Sequence, residues 1–186
     1  MQEKIALSKG FFLGSILGGA VLFIILYFGG LVLMLATEEL LPGVFIILLA
    51  FMAMIYSSVI MAVLVYKMWK PIQDGHARTT PGKAVGFLFI PFFNLYWIFQ
   101  AFWGFSVDYN AFIERHSIAV NKLPVNLFLT YAILSVASAV PYIGILPGIA
   151  AFIILIILVL QICNAVNALP DNISVEPVPV AGAGVM

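Results

Sequence analysis

Charge is scarce in this chain. Lys, Arg, Asp and Glu supply 9% of its 186 residues and apolar types 64%, against about 25% and about 45–50% in soluble domains. Formal net charge is zero, so there is no overall footprint for nucleic acid or another polyanion. Cys163 is the one cysteine, which excludes an internal disulfide and a thiolate metal cage. It reads as a small buried apolar side chain. His76 and His116 are the only histidines, and each falls in a polar segment that suggests solvation rather than catalysis. No metalloprotease helix motif or spaced catalytic carboxylate pair is present. Gly75 and Gly82-Lys83 do not make a phosphate loop, because their spacing is too wide and Ala84 stands where a hydroxyl is needed. Nothing in the sequence calls for a cofactor, a metal or a catalytic residue.

Long charge-free stretches are what the chain does have: residues 10–37, 40–66, 84–107 and 123–170. About 20 apolar residues suffice for a helix to cross a hydrocarbon core of about 30 Å. The chain therefore reads as an all-α integral membrane protein with one bundle over residues 1–170 and a mobile tail, 171–186. Spans are expected at about 11–35, 43–66, 123–140 and 149–168, the last two separated by Pro141, Gly144, Pro147 and Gly148. Lys4 and Lys9 precede the first run, which is too long for a signal peptide, so an uncleaved first span is expected. Glu38 and Glu39 mark a turn, and Pro42 suits a first helical turn. Ser57 and Ser58 are expected to bond back to the preceding turn or face a neighbouring helix. Asn172-Ile173-Ser174 matches a glycosylation acceptor by spelling only.

The third stretch is interrupted by Ile90-Pro91-Phe92-Phe93-Asn94. Upstream, Asp74-Gly75 reads as a turn, and Thr80-Pro81 as an N-cap with proline at the first helical position. Pro91 disfavours helical geometry at Ile90, and Asn94 is expected to cap a second helix from Leu95 to about His116. On that helix Trp97, Ala101, Gly104, Asp108, Ala111 and Arg115 form a stripe suited to packing. A re-entrant hairpin over 81–116 puts all eight Lys and Arg, including the basic segment Lys67, Lys70, Arg78 and Lys83, on the cytoplasmic side with the amino terminus. A kinked crossing helix would instead give five spans and leave Arg115 and Lys122 outside. The expected fold is four transmembrane helices plus the hairpin, with five spans as the alternative.

Trp69, the turn Thr80-Pro81-Gly82, the step Ala84-Val85-Gly86, then Phe89-Ile90-Pro91 and Asn94-Leu95 are similar to a signature of bacterial multi-pass membrane proteins of unknown function. The similarity covers about residues 69–110. It implies a bacterial cytoplasmic (inner) membrane and a shared structural element, and no activity.

Gly10, Gly14 and Gly18 share one face of the first span, where small residues let helices approach closely. Another helix of this chain or a second copy would fill it; Ala101 and Gly104 offer a second packing face. Three functions remain open. The first is a non-enzymatic interaction or assembly component whose partners are the lipid bilayer and either a second copy or another membrane protein. The second is a small channel lined by the Pro91–Asn94 break and Gln100. The third is an integral membrane enzyme.

Overall fold

A computed structural model of the protein describes residues 6–37 and 40–170. Lys4, Glu38, Glu39, the expected mobile tail and Asn172 lie outside the described residues. These form α1 (Lys9–Thr37), α2 (Leu40–Trp69), α3 (Pro81–Gly86), α4 (Phe93–Ile98), α5 (Gly104–Arg115), α6 (Val125–Ala137) and α7 (Ile145–Asn167). No strand occurs among the described residues. Three helices are long and apolar enough to cross a membrane: α1, α2 with its 3-10 extension to Ile72, and α7. The described residues divide into two compact units, one of residues 8–64 and one of residues 6–7 with 65–170.

The first unit is an antiparallel pair made by α1 and most of α2. Neither run carries a breaker except Pro42, which sits in the first turn of α2 as expected. Ser15 Oγ and Tyr56 Oη are 3.1 Å apart, Phe23 meets Phe51 edge-on, and Gly30 lies beside Gly43 and Ile47. Ser57 and Ser58 donate to the carbonyls of Ala53 and Met54, the back-bonding that keeps a hydroxyl satisfied away from water.

The second unit begins with the last turn of α2 and a 3-10 turn, Lys70–Ile72. After a loop come α3, a 3-10 turn over Phe87–Phe89, and the break at residues 90–92. A continuous helical run follows from Phe93 to Arg115: α4, a π-helical turn over Phe99–Trp103, and α5. Its core holds Trp69, Phe105, Tyr109, Phe112, Phe128, Leu158 and Ile162, all fully buried. The buried stripe on the 93–115 run is Phe102, Phe105, Tyr109 and Phe112, one residue later than the stripe expected from Trp97. The π-helical turn is the reason, since it inserts a residue and shifts the phase of everything after it. Ala101 and Gly104 are buried nonetheless.

α6 has 13 residues, about 20 Å by helical rise, which is shorter than the expected span 123–140. It starts after Pro124 and ends at Ala137. Conversely α7 starts at Ile145 rather than 149, because Pro147 falls within its first turn, where proline is tolerated.

Candidate functional site

The 81–116 segment folds back on itself. Thr80 Oγ1 accepts from Lys83 N–H at 3.4 Å and Pro81 opens α3, the cap expected from sequence. Ile90 then leaves helical geometry with ψ 114°, as proline at the next position requires. Rungs join the two arms. Arg78 binds Asp108, Trp97 Nε1–H donates to the Ala84 carbonyl at 3.1 Å, and Phe87 meets Phe93 and Trp97 edge-on. These rungs bring the segments at the start and end of the third apolar stretch together.

Asn94 is not the cap. Phe92 occupies that position with φ 62° and gives no side-chain cap bond, while Asn94 lies inside α4. Its N–H instead bonds the Ile90 carbonyl at 3.0 Å. A tight turn around Phe92 thus begins α4 two residues earlier than the asparagine suggested, and backbone groups do the capping. Pro91 is exposed and Asn94 half-buried. Gln100 lies away from both, with its Nε2 donating to Tyr96 Oη at 2.9 Å and its Oε1 3.5 Å from Arg78 Nη1. The three residues expected to line one opening do not form a single polar group.

The π-helical turn has a definite use. Such a turn frees a backbone carbonyl from the helical ladder, and Trp69 Nε1–H donates to the Ala101 carbonyl at 3.0 Å in a buried bond. Trp69, Ala84 and Trp97 are accounted for by two indole-to-carbonyl bonds.

Two ion pairs fasten the polar end. Arg78 grips Asp108 through its backbone N–H at 2.8 Å, Nε at 2.9 Å and Nη2 at 2.7 Å. Its guanidinium carbon lies 5.9 Å from the Trp103 ring centroid. Gly104 makes room for it: a Cβ there would come within 3.0 Å of Arg78 Cδ.

The second pair centres on Asp74, whose side chain is 3% exposed. Its Oδ2 accepts from Arg115 Nε at 3.0 Å and Nη2 at 2.7 Å and lies 3.3 Å from His116 Nε2. Oδ1 accepts from the His76 N–H at 3.0 Å, which closes the expected Asp74-Gly75 turn, with Gly75 at φ 87°. Burial works against the charged carboxylate, but Arg115, the His76 N–H and His116 outweigh it and hold the group below its ordinary 3.8. Both histidines therefore stand at one carboxylate, and His116 is not a simple solvated side chain. Nothing local in the sequence announced this, because Asp74 and Arg115 are joined only by tertiary folding. Lys122 pairs with Glu114 nearby on the surface.

Among the described residues no group of His, Cys, Asp or Glu is arranged to hold a metal, and no buried side-chain polar atom lacks a hydrogen-bond partner. Lys67, Lys70 and Lys83 make no ion pair among the described residues. The glycines of α1 divide sharply. A Cβ at Gly10, Gly14 or Gly18 would meet nothing within 4 Å, whereas one at Gly30 would come 2.9 Å from the Gly43 carbonyl oxygen. Gly14 and Gly18 line an open groove of about 630 Å³ between α1 and α2, with Ser15, Met52 and Tyr56 on its walls. Close intrachain approach uses Gly19, Gly30 and Gly43, and Gly10, Gly14, Gly18 and Gly29 are left open.

Against known proteins, no family profile, curated sequence or solved structure matches this chain.

Proposed function

We propose that this chain is a multi-pass membrane protein acting as a non-enzymatic interaction or assembly component. The observation that carries the reading is the division among the α1 glycines. Gly19 and Gly30 are spent on intrachain packing, while a Cβ at Gly10, Gly14 or Gly18 would meet no other element of the described residues within 4 Å. In lipid, where no hydrophobic drive brings helices together, such faces are where another helix gains van der Waals contact. The polar groups support the same reading from the other side. Ion pairs join loop to helix, indole donors cap freed carbonyls, and among the described residues every buried side-chain polar atom has a hydrogen-bond partner. The permeation reading draws less support, since Gln100 is tied to Tyr96 and Arg78 rather than facing a channel beside Asn94.

The matching topology has an amino terminus on the cytoplasmic face of a bacterial inner membrane and a hairpin over 81–116 that enters and returns on that side. Arg78, Lys83, Arg115 and Lys122 then share one face, as the preference of Lys and Arg for the cytoplasmic side demands. Four crossings would complete the fold, two by α1 and α2 and two by α6 and α7.

Mass determination in lipid nanodiscs tests the assembly reading. A multimer, or a stable complex with another membrane protein, is expected for the native chain. Gly14→Leu should lower the subunit count without unfolding the chain. A monomer with unchanged behaviour in Gly14→Leu would end the proposal.

A further inference from the structure

Every acid of residues 65–170 is already answered. Arg115 holds Asp74, Arg78 holds Asp108 and Lys122 holds Glu114. No other Asp or Glu occurs in that range, and the Lys and Arg left over are Lys67, Lys70 and Lys83. None of these three makes an ion pair among the described residues. Lys70 and Lys83 are exposed and Lys67 is half-buried.

The surplus is not scattered. Lys67 and Lys70 stand three residues apart at the end of α2 and in its 3-10 extension, which places them on one side of the helix. Trp69 Nε1–H donates to the Ala101 carbonyl and Trp97 Nε1–H to the Ala84 carbonyl. Ala101 and Trp97 are one turn apart on the 93–115 run, about 6 Å. The chain neighbours of Lys70 and Lys83 are therefore fastened to the same run a turn from each other. Gln73 Nε2 ties the intervening loop by donating to the Trp69 and Thr79 carbonyls at 3.0 and 3.1 Å. Thr80 caps the turn that carries Lys83.

Helix ends explain only part of this. A cation in the last turn of α2 is favoured by the helix dipole, which suits Lys67. Lys83 stands in the first turn of α3, the end that disfavours a cation, and no acid stands in that turn to offset it. An anion from outside the chain would gain from all three lysines at once. The carboxylates nearby are already neutralised, so they do not repel it.

Position decides which anion. The apolar run Leu40–Ile72 has 33 residues, about 50 Å of helix, against a hydrocarbon core about 30 Å thick. A centred run leaves about 10 Å, or about seven residues, beyond the core at each end. Lys67 and Lys70 fall within that margin, where long stems let an ammonium reach the headgroups. Tyr66, beside Lys67, is 45% exposed, and tyrosine favours the same boundary.

We propose that Lys67, Lys70 and Lys83 form a contact site for anionic phospholipid, binding the headgroup phosphate at the membrane face where α2 ends. Three lysines are fewer than the roughly four to eight of a polybasic membrane-binding segment. Here the apolar helices already hold the chain in the bilayer, so the lysines need only select among the lipids beside them. The proposal goes beyond the assembly reading. It depends neither on subunit count nor on whether residues 81–116 return, because the three lysines belong to one connection.

Native mass spectrometry of the full chain, released from nanodiscs of equal phosphatidylglycerol and phosphatidylcholine, reads the lipids that stay bound. Phosphatidylglycerol should be enriched, by up to about five-fold for each lysine that reaches its phosphate. Lys70→Gln or Lys83→Gln should each lower the enrichment, and the triple variant with Lys67→Gln should bring it to the bilayer ratio. Arg at all three positions should preserve it. Glu114→Gln with Lys122→Gln removes a neutral pair and should leave it unchanged. Equal retention of the two lipids by the native chain overturns the proposal, and so does an enrichment that survives the triple variant. Should the triple variant fail to fold by thermal melting, the two single variants decide in the same way. Millimolar inorganic phosphate should not displace the lipid; displacement would make soluble phosphate the ligand and overturn the lipid assignment. The same spectra count subunits, and a monomer that keeps the enrichment would end the assembly reading while leaving this one standing.

Discussion

Residues 8–64 and residues 65–170 solve one packing problem by opposite means. The first unit holds two long helices together with almost no polar contact, relying on Gly30 against Gly43 and rings such as Phe23 on Phe51. The second combines the long α7 with interrupted helical segments, and polar bonds reach across sequence to join the interrupted part: Asp74 to Arg115, Arg78 to Asp108, Trp69 to Ala101. Long uninterrupted helices satisfy their own backbone, so they need only surfaces that fit. Broken helices expose carbonyls and N–H groups, so side chains must be recruited to meet them. Among the described residues, the polar contacts gather where helices are interrupted.

Asp74→Asn strikes the second unit hardest. The change leaves Arg115 and His116 facing an uncharged partner. Removing one member of a buried pair typically costs about 3–5 kcal/mol; with Arg115 one-third exposed to water, about 2–3 kcal/mol is expected. Thermal unfolding in detergent should show it. The pH dependence carries the same signature. A carboxyl held below its ordinary 3.8 stabilises the fold above that pH, and the contribution disappears as pH falls through the lowered folded value. That acid limb should be absent from Asp74→Asn. An unchanged acid limb would show that the clamp contributes nothing.

Gly30→Leu is the corresponding break in the first unit. A side chain there meets the Gly43 carbonyl oxygen and Ile47, and forcing bulk into a close approach typically costs about 1–3 kcal/mol. Gly14→Leu, on the open face, should leave the same melting temperature unaltered while changing subunit count. Equal melting losses for the two variants would abolish the distinction between used and unused glycines.

Trp69→Phe keeps the ring but deletes the donor to the Ala101 carbonyl. An unsatisfied buried acceptor costs about 1–3 kcal/mol, and about 2 kcal/mol is expected because the site is fully enclosed. Gln73 offers no substitute, since its Nε2 already donates to Trp69 and Thr79 carbonyls. The smallest effect is expected at the turns. Tyr142→Gly relieves a positive φ, 68°, that a bulky residue tolerates poorly, and should raise stability by about 1 kcal/mol. A loss instead would mean that the aromatic ring anchors the turn more than its backbone strains it.

The apolar runs were legible because burial in lipid imposes length and hydrophobicity on every residue of a span. Thr80-Pro81 and the break before Pro91 were legible for a local reason: caps and prolines act on the adjacent turn. Asn94 misled because it is a good cap in isolation, while the γ-turn at Phe92 had already closed the helix start. The α6 boundary moved inward for a related reason, since Val140-Pro141 begins a turn of its own. Asp74, Arg115 and His116 could not be grouped from sequence, because their meeting depends on how a loop and a helix end are brought together. Gly10, Gly14 and Gly18 stand at four-residue spacing in α1, but spacing says nothing about whether this chain fills the face they share.

The π-helical turn at Phe99–Trp103 is an extra residue absorbed by a helix that stays continuous. Each residue turns an α-helix by about 100°, so deleting one position there would restore regular winding and swing everything before it around the axis. Trp97 would be carried off the Ala84 carbonyl while Phe105 and Tyr109 kept their places. The bulge therefore acts as a phase adjuster: it lets the two ends of one rod face different neighbours, and it makes this stretch intolerant of single-residue deletion.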